Sequence, residues 1–226
     1  MAASSQAFGG SAARPNNYGV SSTVVPQIRP ARMGDIALIL ALHREAFADK
    51  FGGAFGPDGA ERGAAALAAT WQRQGASALR GMFVAEYEGA VIGTTTVRTA
   101  EMLRDDANAA EIAFQEQLGL WRALRSLFAL SLLDHNIERR EGFVTDVAVL
   151  SPYRRSGVAR NLLARAEQEA LLRGKYFLGL YVSAANSAAI ELYQRSGFYA
   201  VRTRRSILAW LFFGQGQWIY MRKDLV

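Results

Sequence analysis

The chain has 226 residues, of which 50% are hydrophobic, and this suits one domain of ordinary size with a substantial core. It contains no cysteine, which excludes disulfides, thiolate zinc sites and a cysteine nucleophile. Two histidines, His43 and His135, argue against a His-rich metal site and a Ser-His-Asp triad, so we expect no metal. The net charge of +6 accompanies no recognised nucleic-acid-binding motif, so we expect no nucleic acid and favour a small anionic ligand.

Residues 1–26 are rich in Ala, Ser, Gly and Asn, and this composition predicts a disordered tail before one folded domain at 27–226. The tail carries Arg14 and no acidic residue, so a targeting peptide stays open, but it lacks the apolar core of a secretion signal. No apolar run reaches membrane-spanning length. Together with the lack of cysteine, these features predict a cytoplasmic protein.

The first half of the domain alternates between strand and helix patterns. Asp35 is a predicted N-cap, the glycines of 52–59 are typical of a loop, and Glu88-Gly89 is typical of a hairpin turn. The predicted elements are a strand at 28–31, a helix at 35–48, a loop at 52–59, a helix at 60–74, strands at 82–87 and 91–98, and a helical insertion at 101–141 with its main helix at 118–136.

The second half contains two successive strand–helix units, which favour parallel pairing and place the chain in the α/β class. The predicted elements are a strand at 143–149, a helix at 157–173, a strand at 176–182, a helix at 186–196, and two last strands at 199–204 and 218–222 around the apolar connector 207–213.

The turn after the strand at 143–149 carries the main functional signal. Gly157 and Ala159 open the next helix, whose unpaired backbone N–H groups and positive end attract a phosphate. Arg154, Arg155 and Arg160 add positive charge, so the sequence predicts a pyrophosphate site. Neither a Walker loop nor a G-x-G-x-x-G motif is present.

Two motifs identify a family resemblance. Arg154-x-x-Gly157-x-Ala159 follows the strand end Val147-Ala148-Val149, and an N-x-x-A-x-x-L-Y-x-x-x-G-F pattern begins at Asn186 and includes Tyr193. In these motifs the chain resembles the GNAT superfamily of acetyl-CoA-dependent N-acetyltransferases, over about 28–225. The resemblance implies the GNAT fold, a mixed central sheet of six to seven strands flanked by helices.

The resemblance also implies how acetyl-CoA, as co-substrate, would bind. The backbone of Val147 and Val149 would pair with the pantetheine arm like an added strand. Asn186 would contact the pantetheine or the acceptor side, although it is equally suited to a simple helix cap. The residues implied at the CoA pyrophosphate are Arg154, Arg155, Ser156, Gly157, Val158, Ala159 and Arg160.

The implied reaction is direct attack of an amine acceptor on the thioester. Tyr193 would protonate the departing thiolate, the alternative being a half-buried core tyrosine. Asp146 is the best-placed proton acceptor, although its side chain is equally able to hydrogen-bond a neighbour. Other candidate bases are Glu45, Asp49, His43 and Glu111, and a water chain is a further alternative.

Several alternatives stay open at this stage. A non-catalytic acyl-CoA-binding or regulatory module is the rival to an enzyme, and the acceptor amine is unidentified. The helix 118–136 and the connector 207–213 exceed what the core fold requires. They either pack on each other or form a lid over an apolar acceptor, a homodimer surface, or a membrane-surface contact through Arg122 and Arg125.

Overall fold

The protein is described from a computed structural model, which covers residues 25–56, 59–104, 107–132 and 134–226. The first strand of the described residues begins at Gln27. The predicted tail at 1–26 lies outside the described residues except for its last two positions.

Seven strands and eight α-helices make up the described part of the chain, together with short 3-10 turns. The strands are β1 Gln27–Pro30, β2 Met82–Tyr87, β3 Ala90–Arg98, β4 Glu141–Val149, β5 Phe177–Ser183, β6 Tyr199–Arg205 and β7 Gln217–Asp224. The helices are α1 Ile36–Ala46, α2 Ala48–Phe55, α3 Ala60–Gln74, α4 Ala107–Leu118, α5 Leu120–Ser131, α6 Val158–Leu172, α7 Ser187–Arg195 and α8 Ile207–Phe213.

The strands form one mixed sheet in the order β1-β2-β3-β4-β5-β7-β6. Within the described residues β4 and β5 run parallel, and the other neighbouring pairs are antiparallel. Helices α6 and α7 cover one face, where Leu163 and Tyr193 pack on Leu178 and Leu180. Helix α1 covers part of the other face through residues such as Ile39. The α/β class and the mixed sheet are therefore confirmed.

The sheet opens between its two central strands. β4 and β5 pair at only three positions, Glu141 with Phe177, Gly142 with Leu178 and Phe143 with Gly179. Beyond Phe143, β4 stays paired with β3 as far as Val149, and β5 stays paired with β7 as far as Ser183. The two strands thus diverge into a V-shaped gap, bordered by unpaired β4 backbone.

A buried polar network closes the narrow end of this gap. Glu141 is fully buried, and its carboxylate lies 3.0 Å from His135 Nε2 and accepts a 2.6 Å hydrogen bond from the Tyr220 hydroxyl. Burial alone would raise the pKa of Glu141, but the hydrogen bonds from His135 and Tyr220 lower it. A Cβ atom at Gly179 would overlap both the Glu141 carboxylate and the Tyr220 hydroxyl.

We therefore expect Gly179→Ala to destabilise the fold by about 1–3 kcal/mol, because the network has no free space in which to shift. The change is measured as a lower midpoint of urea denaturation. Gly34→Ala is the matched control, since a Cβ atom there meets nothing within 4 Å. Equal midpoints for the two variants would show that the network adapts without cost.

The predicted loop at 52–59 is wrong in its first half, because α2 extends to Phe55. Phe51, Ala54 and Phe55 of α2 are buried, and they pack in one cluster with residues of α4, α5 and α8. Gly53 permits that packing, since a Cβ atom there would overlap the Phe212 carbonyl oxygen and the Phe213 ring. The glycine therefore marks a close approach between helices rather than a loop.

The helix predicted at 118–136 is present as α5 but is shorter at both ends. Gly119, with φ +76°, separates α4 from α5, and α5 ends at Ser131. The apolar connector 207–213 is helix α8, and its Phe212 ring lies 5.9 Å from the Phe128 ring of α5. This contact supports packing of the insertion on the connector, while Trp121 and Ile207 remain more than 80% exposed, at 81% and 84%.

In the part of the chain that the structure describes, no helix combines the length and the apolar character needed to cross a bilayer.

Candidate active site

The β4 side of the gap presents free backbone groups in an alternating pattern. The Leu150 N–H donates to the Ile92 carbonyl at 2.9 Å, so the backbone of Leu150 and Ala148 faces β3. Because backbone direction alternates along an antiparallel strand, the N–H and C=O groups of Val147 and Val149 face the gap. The Val149 carbonyl accepts from Arg154 Nε at 3.0 Å, which leaves Val147 as the free position for an extended ligand.

Helix α6 begins beside this strand end with an exposed N-terminus. Gly157 is its N-cap at φ +89°, and the first helical hydrogen bond runs from Asn161 N to Gly157 O at 3.1 Å. The N–H groups of Val158, Ala159 and Arg160 therefore have no acceptor within the helix. A Cβ atom at Gly157 would meet nothing within 4 Å, so the space above these N–H groups is open to a ligand.

The three arginines of this turn have different surroundings. Arg154 is tied to the Val149 carbonyl and lies 3.9 Å from the Glu45 carboxylate. Arg155 is exposed, with φ +64°. Arg160 lines a cavity of about 270 Å³ together with Arg195 and Lys223, between α6 and α7. Arg195 and Lys223 are paired there with Glu191 and Glu167, whereas Arg155 and Arg160 are the arginines of this turn without a carboxylate partner among the described residues.

Two further predicted residues have structural contacts. Ser156 Oγ donates to the Tyr153 carbonyl at 2.5 Å and so holds the turn, while the side chain of Val158 is buried in the core. Asn186 Oδ1 accepts from the Ala189 N–H at 3.0 Å, which is a helix cap for α7. The capping alternative for Asn186 is therefore observed, and a ligand contact stays a prediction.

Asp146 lies on the β4 side of the gap at an irregular position of the strand. Its φ is +56°, and the pairing register with β3 shifts between Thr94 and Thr96. Thr145 Oγ1 donates to its carboxylate at 2.9 Å. Burial alone would raise the pKa of Asp146, but its electrostatic interactions with nearby ionisable groups lower it, so the carboxylate is ionised at neutral pH. These groups are His43, Lys50 and Arg98.

Tyr193 of α7 approaches the same region from the opposite face of the sheet. Its side chain is buried and packs against the Phe198 ring at 5.9 Å. Its hydroxyl has no hydrogen-bond partner within the described ranges, although it is close enough to Asp146 to feel its charge. Burial and the Asp146 charge raise the pKa of Tyr193 to about 12, so the phenol stays protonated and acts as a hydrogen-bond donor.

A sequence model of the acetyltransferase (GNAT) family matches residues 42–198, which is more than half of the chain. The chain belongs to the GNAT family. It is thus a member of a family of acyltransferase enzymes, and the resemblance expected from its motifs is confirmed.

The chain is similar to individual proteins in sequence and in structure. The chloroplastic GCN5-related N-acetyltransferase 6 of Arabidopsis thaliana is 39% identical over 64 residues, which cover 28% of this chain and 22% of that protein. A crystal structure described as an acetyltransferase matches with a TM-score of 0.61 and 22% identity, covering 88% of this chain and all of the other. The putative acetyltransferase YncA from Salmonella typhimurium, solved with acetyl-CoA, matches with a TM-score of 0.54 and 17% identity over 89% of this chain and 95% of that chain.

Sequence reasoning missed two residues of this GNAT domain: Lys50, which interacts electrostatically with Asp146, and Trp218, which lies near Lys50. Lys50 is on α2, and its Nζ lies 6.0 Å from the ring of Trp218 at the start of β7. Because 52–59 was predicted to be a loop, α2 was not predicted. Trp218 is distant in sequence from Lys50. Lys50 follows His43 by seven residues, which is two turns of a helix, and this spacing was the available signal for Lys50. No local signal pointed to Trp218.

The alternative bases are distributed over several places. His43 is buried between the Phe47 and Trp71 rings, and its Nε2 has no hydrogen-bond partner in the described residues. Burial lowers the pKa of His43 despite the opposing Asp146 charge. The other three candidates are engaged or exposed: Glu45 accepts from Ser151, Asp49 accepts from Gln215 at 3.3 Å, and Glu111 is exposed on α4.

Proposed function

We propose that the chain is an N-acetyltransferase that transfers the acetyl group of acetyl-CoA to an amine by direct attack on the thioester. The observation that carries this proposal is the gap between β4 and β5, which runs from Asp146 to the open N-terminus of α6. A strand-like arm fits along the unpaired backbone of Val147, and a pyrophosphate fits at the free N–H groups of Val158–Arg160. The YncA structure with acetyl-CoA supports this ligand.

Asp146 would receive the proton that the attacking nitrogen loses. An amine attacks only in its neutral form, and the nitrogen carries positive charge once the new C–N bond has formed. An ionised carboxylate stabilises that charge and then accepts the proton. The pKa of Asp146 is lowered, so the carboxylate is ionised and able to accept the proton over the whole neutral range.

Tyr193 would assist departure of the CoA sulfur. A thiol has a pKa of about 8.5, so the departing thiolate is a weaker base than a phenolate whose pKa is about 12. Full proton transfer from Tyr193 is therefore uphill, and its contribution is a hydrogen bond to the negative charge that develops on sulfur. The proton that ends on the thiol then comes from the amine.

The rival function is an acyl-CoA-binding module without turnover. A thiol-release assay with acetyl-CoA and a panel of primary amines separates the two. Thiol release that depends on both the amine and the protein supports the enzyme, whereas calorimetric CoA binding without thiol release from any amine would support the module.

The role of Asp146 predicts a particular pH profile. Because its pKa is lowered below the usual aspartate range, its protonation does not limit the rate between about pH 6 and pH 9. We expect kcat/KM of the parent to rise with pH as the acceptor amine loses its proton. Asp146→Asn should lower kcat/KM by about tenfold or more at every pH in that range.

Asp146→Asn keeps the size of the side chain, so acetyl-CoA affinity serves as the folding control. If kcat/KM of the parent fell below about pH 7 and this fall were absent in Asp146→Asn, the titrating group would be Asp146. That result would contradict a lowered pKa for Asp146. An unchanged rate would remove Asp146 from the reaction.

A further inference from the structure

Lysine is rare in this basic chain. Of its 26 Lys and Arg residues, three are lysines. Lys175 is buried in an ion pair with Glu101 at 2.8 Å, and Lys223 is paired with Glu167. Lys50 has no carboxylate within ion-pairing distance in the part of the chain that the structure describes.

Lys50 instead lies among aromatic side chains near the wide end of the gap. Its Nζ lies 4.5 Å from the centroid of the Phe47 ring and 6.0 Å from that of Trp218. Trp218 pairs with Ser183 and so belongs to the β5 side of the gap. Asp146 belongs to the β4 side, and its charge acts on Lys50. Its position near Trp218 and its electrostatic interaction with Asp146 associate the amine with both sides of the gap.

The surroundings of Lys50 favour its reactive form. A lysine with the ordinary pKa of about 10.4 is neutral in roughly one molecule in a few thousand at pH 7. Burial lowers the pKa of Lys50, with Asp146 opposing, and so enlarges the neutral fraction. The other two lysines are held by carboxylates away from this gap.

We propose that Lys50 is a self-acetylation site, at which the chain's own amine takes the place of an external acceptor. This inference rests on the proposed transfer from acetyl-CoA. The neutral Lys50 nitrogen forms a bond to the thioester carbonyl carbon, and the C–S bond breaks with its electron pair on sulfur. The proton lost by the nitrogen passes through Asp146 to the sulfur, which gives Nε-acetyl-lysine and free CoA thiol.

The modification changes the charge of the site. Acetylation leaves the Lys50 nitrogen uncharged at every pH and no longer nucleophilic. Each chain therefore accepts one acetyl group at this position. Because the transfer is intramolecular, its rate per chain is independent of protein concentration.

The test uses the full chain, acetyl-CoA and mass spectrometry. We expect one acetyl group per chain, located by peptide mapping at Lys50, with a rate constant unchanged over a tenfold range of protein concentration. Lys50→Arg, which keeps the charge and the length of the side chain, is expected to abolish the label. The double variant Lys175→Arg/Lys223→Arg is the matched control and is expected to label like the parent.

Three results would overturn the inference: a label at Lys175, Lys223 or the terminal amine instead of Lys50; an undiminished label in Lys50→Arg; or equal labelling of Lys50 in Gly157→Glu, which would indicate unassisted chemical acetylation. A parallel thiol-release assay with free amines distinguishes the two proposals. If free amines are acetylated but Lys50 carries no label, self-acetylation alone is overturned. If there is no turnover and no label, both proposals are overturned.

Discussion

Gly157→Glu is expected to reduce acetyl-CoA affinity by at least about a hundredfold, which corresponds to roughly 3 kcal/mol. The new side chain projects into the open space above the α6 N-terminus, where a Cβ atom meets nothing from the protein. Its bulk and negative charge exclude a pyrophosphate from the N–H groups of Val158–Arg160. Isothermal titration calorimetry with acetyl-CoA measures the loss.

A control is needed because Gly157 has φ +89°, so any side chain there is strained. Gly89 has φ +79° in the β2–β3 turn, and a Cβ atom there also meets nothing within 4 Å. Gly89→Glu therefore adds the same charge and similar strain away from the gap. We expect it to lose comparable stability and keep its acetyl-CoA affinity. Equal affinities for the two glutamate variants would contradict the pyrophosphate site.

Tyr193→Phe is expected to lower turnover by about tenfold or more while acetyl-CoA still binds. The substitution removes one hydroxyl that has no hydrogen-bond partner among the described residues, so no protein hydrogen bond is lost. The loss should appear in kcat, because the hydrogen bond forms only as charge develops on sulfur. Steady-state thiol release at saturating acetyl-CoA measures it.

Tyr199→Phe is the matched control for this variant. The Tyr199 hydroxyl donates to the Asp224 carboxylate at 2.7 Å on the exposed edge strand β6. We expect this substitution to leave turnover unchanged. Equal turnover in the parent and in Tyr193→Phe would assign Tyr193 to the core alone, with its ring packed on Phe198.

Local sequence determined what could be predicted. The β4–α6 turn is continuous in sequence, so the strand pattern, Gly157 and the flanking arginines sufficed to predict a phosphate-binding helix start. The repeated strand–helix order similarly predicted the parallel pairing of β4 with β5. These features depend on short-range chemistry and on chain order.

Long-range packing determined what could not be predicted. Gly53 resembles a loop residue in sequence, and only its contact with α8 reveals why a helix needs it. Asp146 was a candidate from its strand position, but its pKa is also influenced by His43 and Lys50, which belong to α1 and α2. Trp218 joins this group from a position 168 residues after Lys50, and no local pattern records that proximity.

A crystal structure of the full chain with acetyl-CoA tests the central claim most directly. The pyrophosphate should accept hydrogen bonds from the backbone of Val158–Arg160, and the pantetheine arm should lie along Val147 with the acetyl group beside Asp146. Acetyl-CoA bound elsewhere, with the β4–β5 gap filled by the protein's own side chains, would contradict the account.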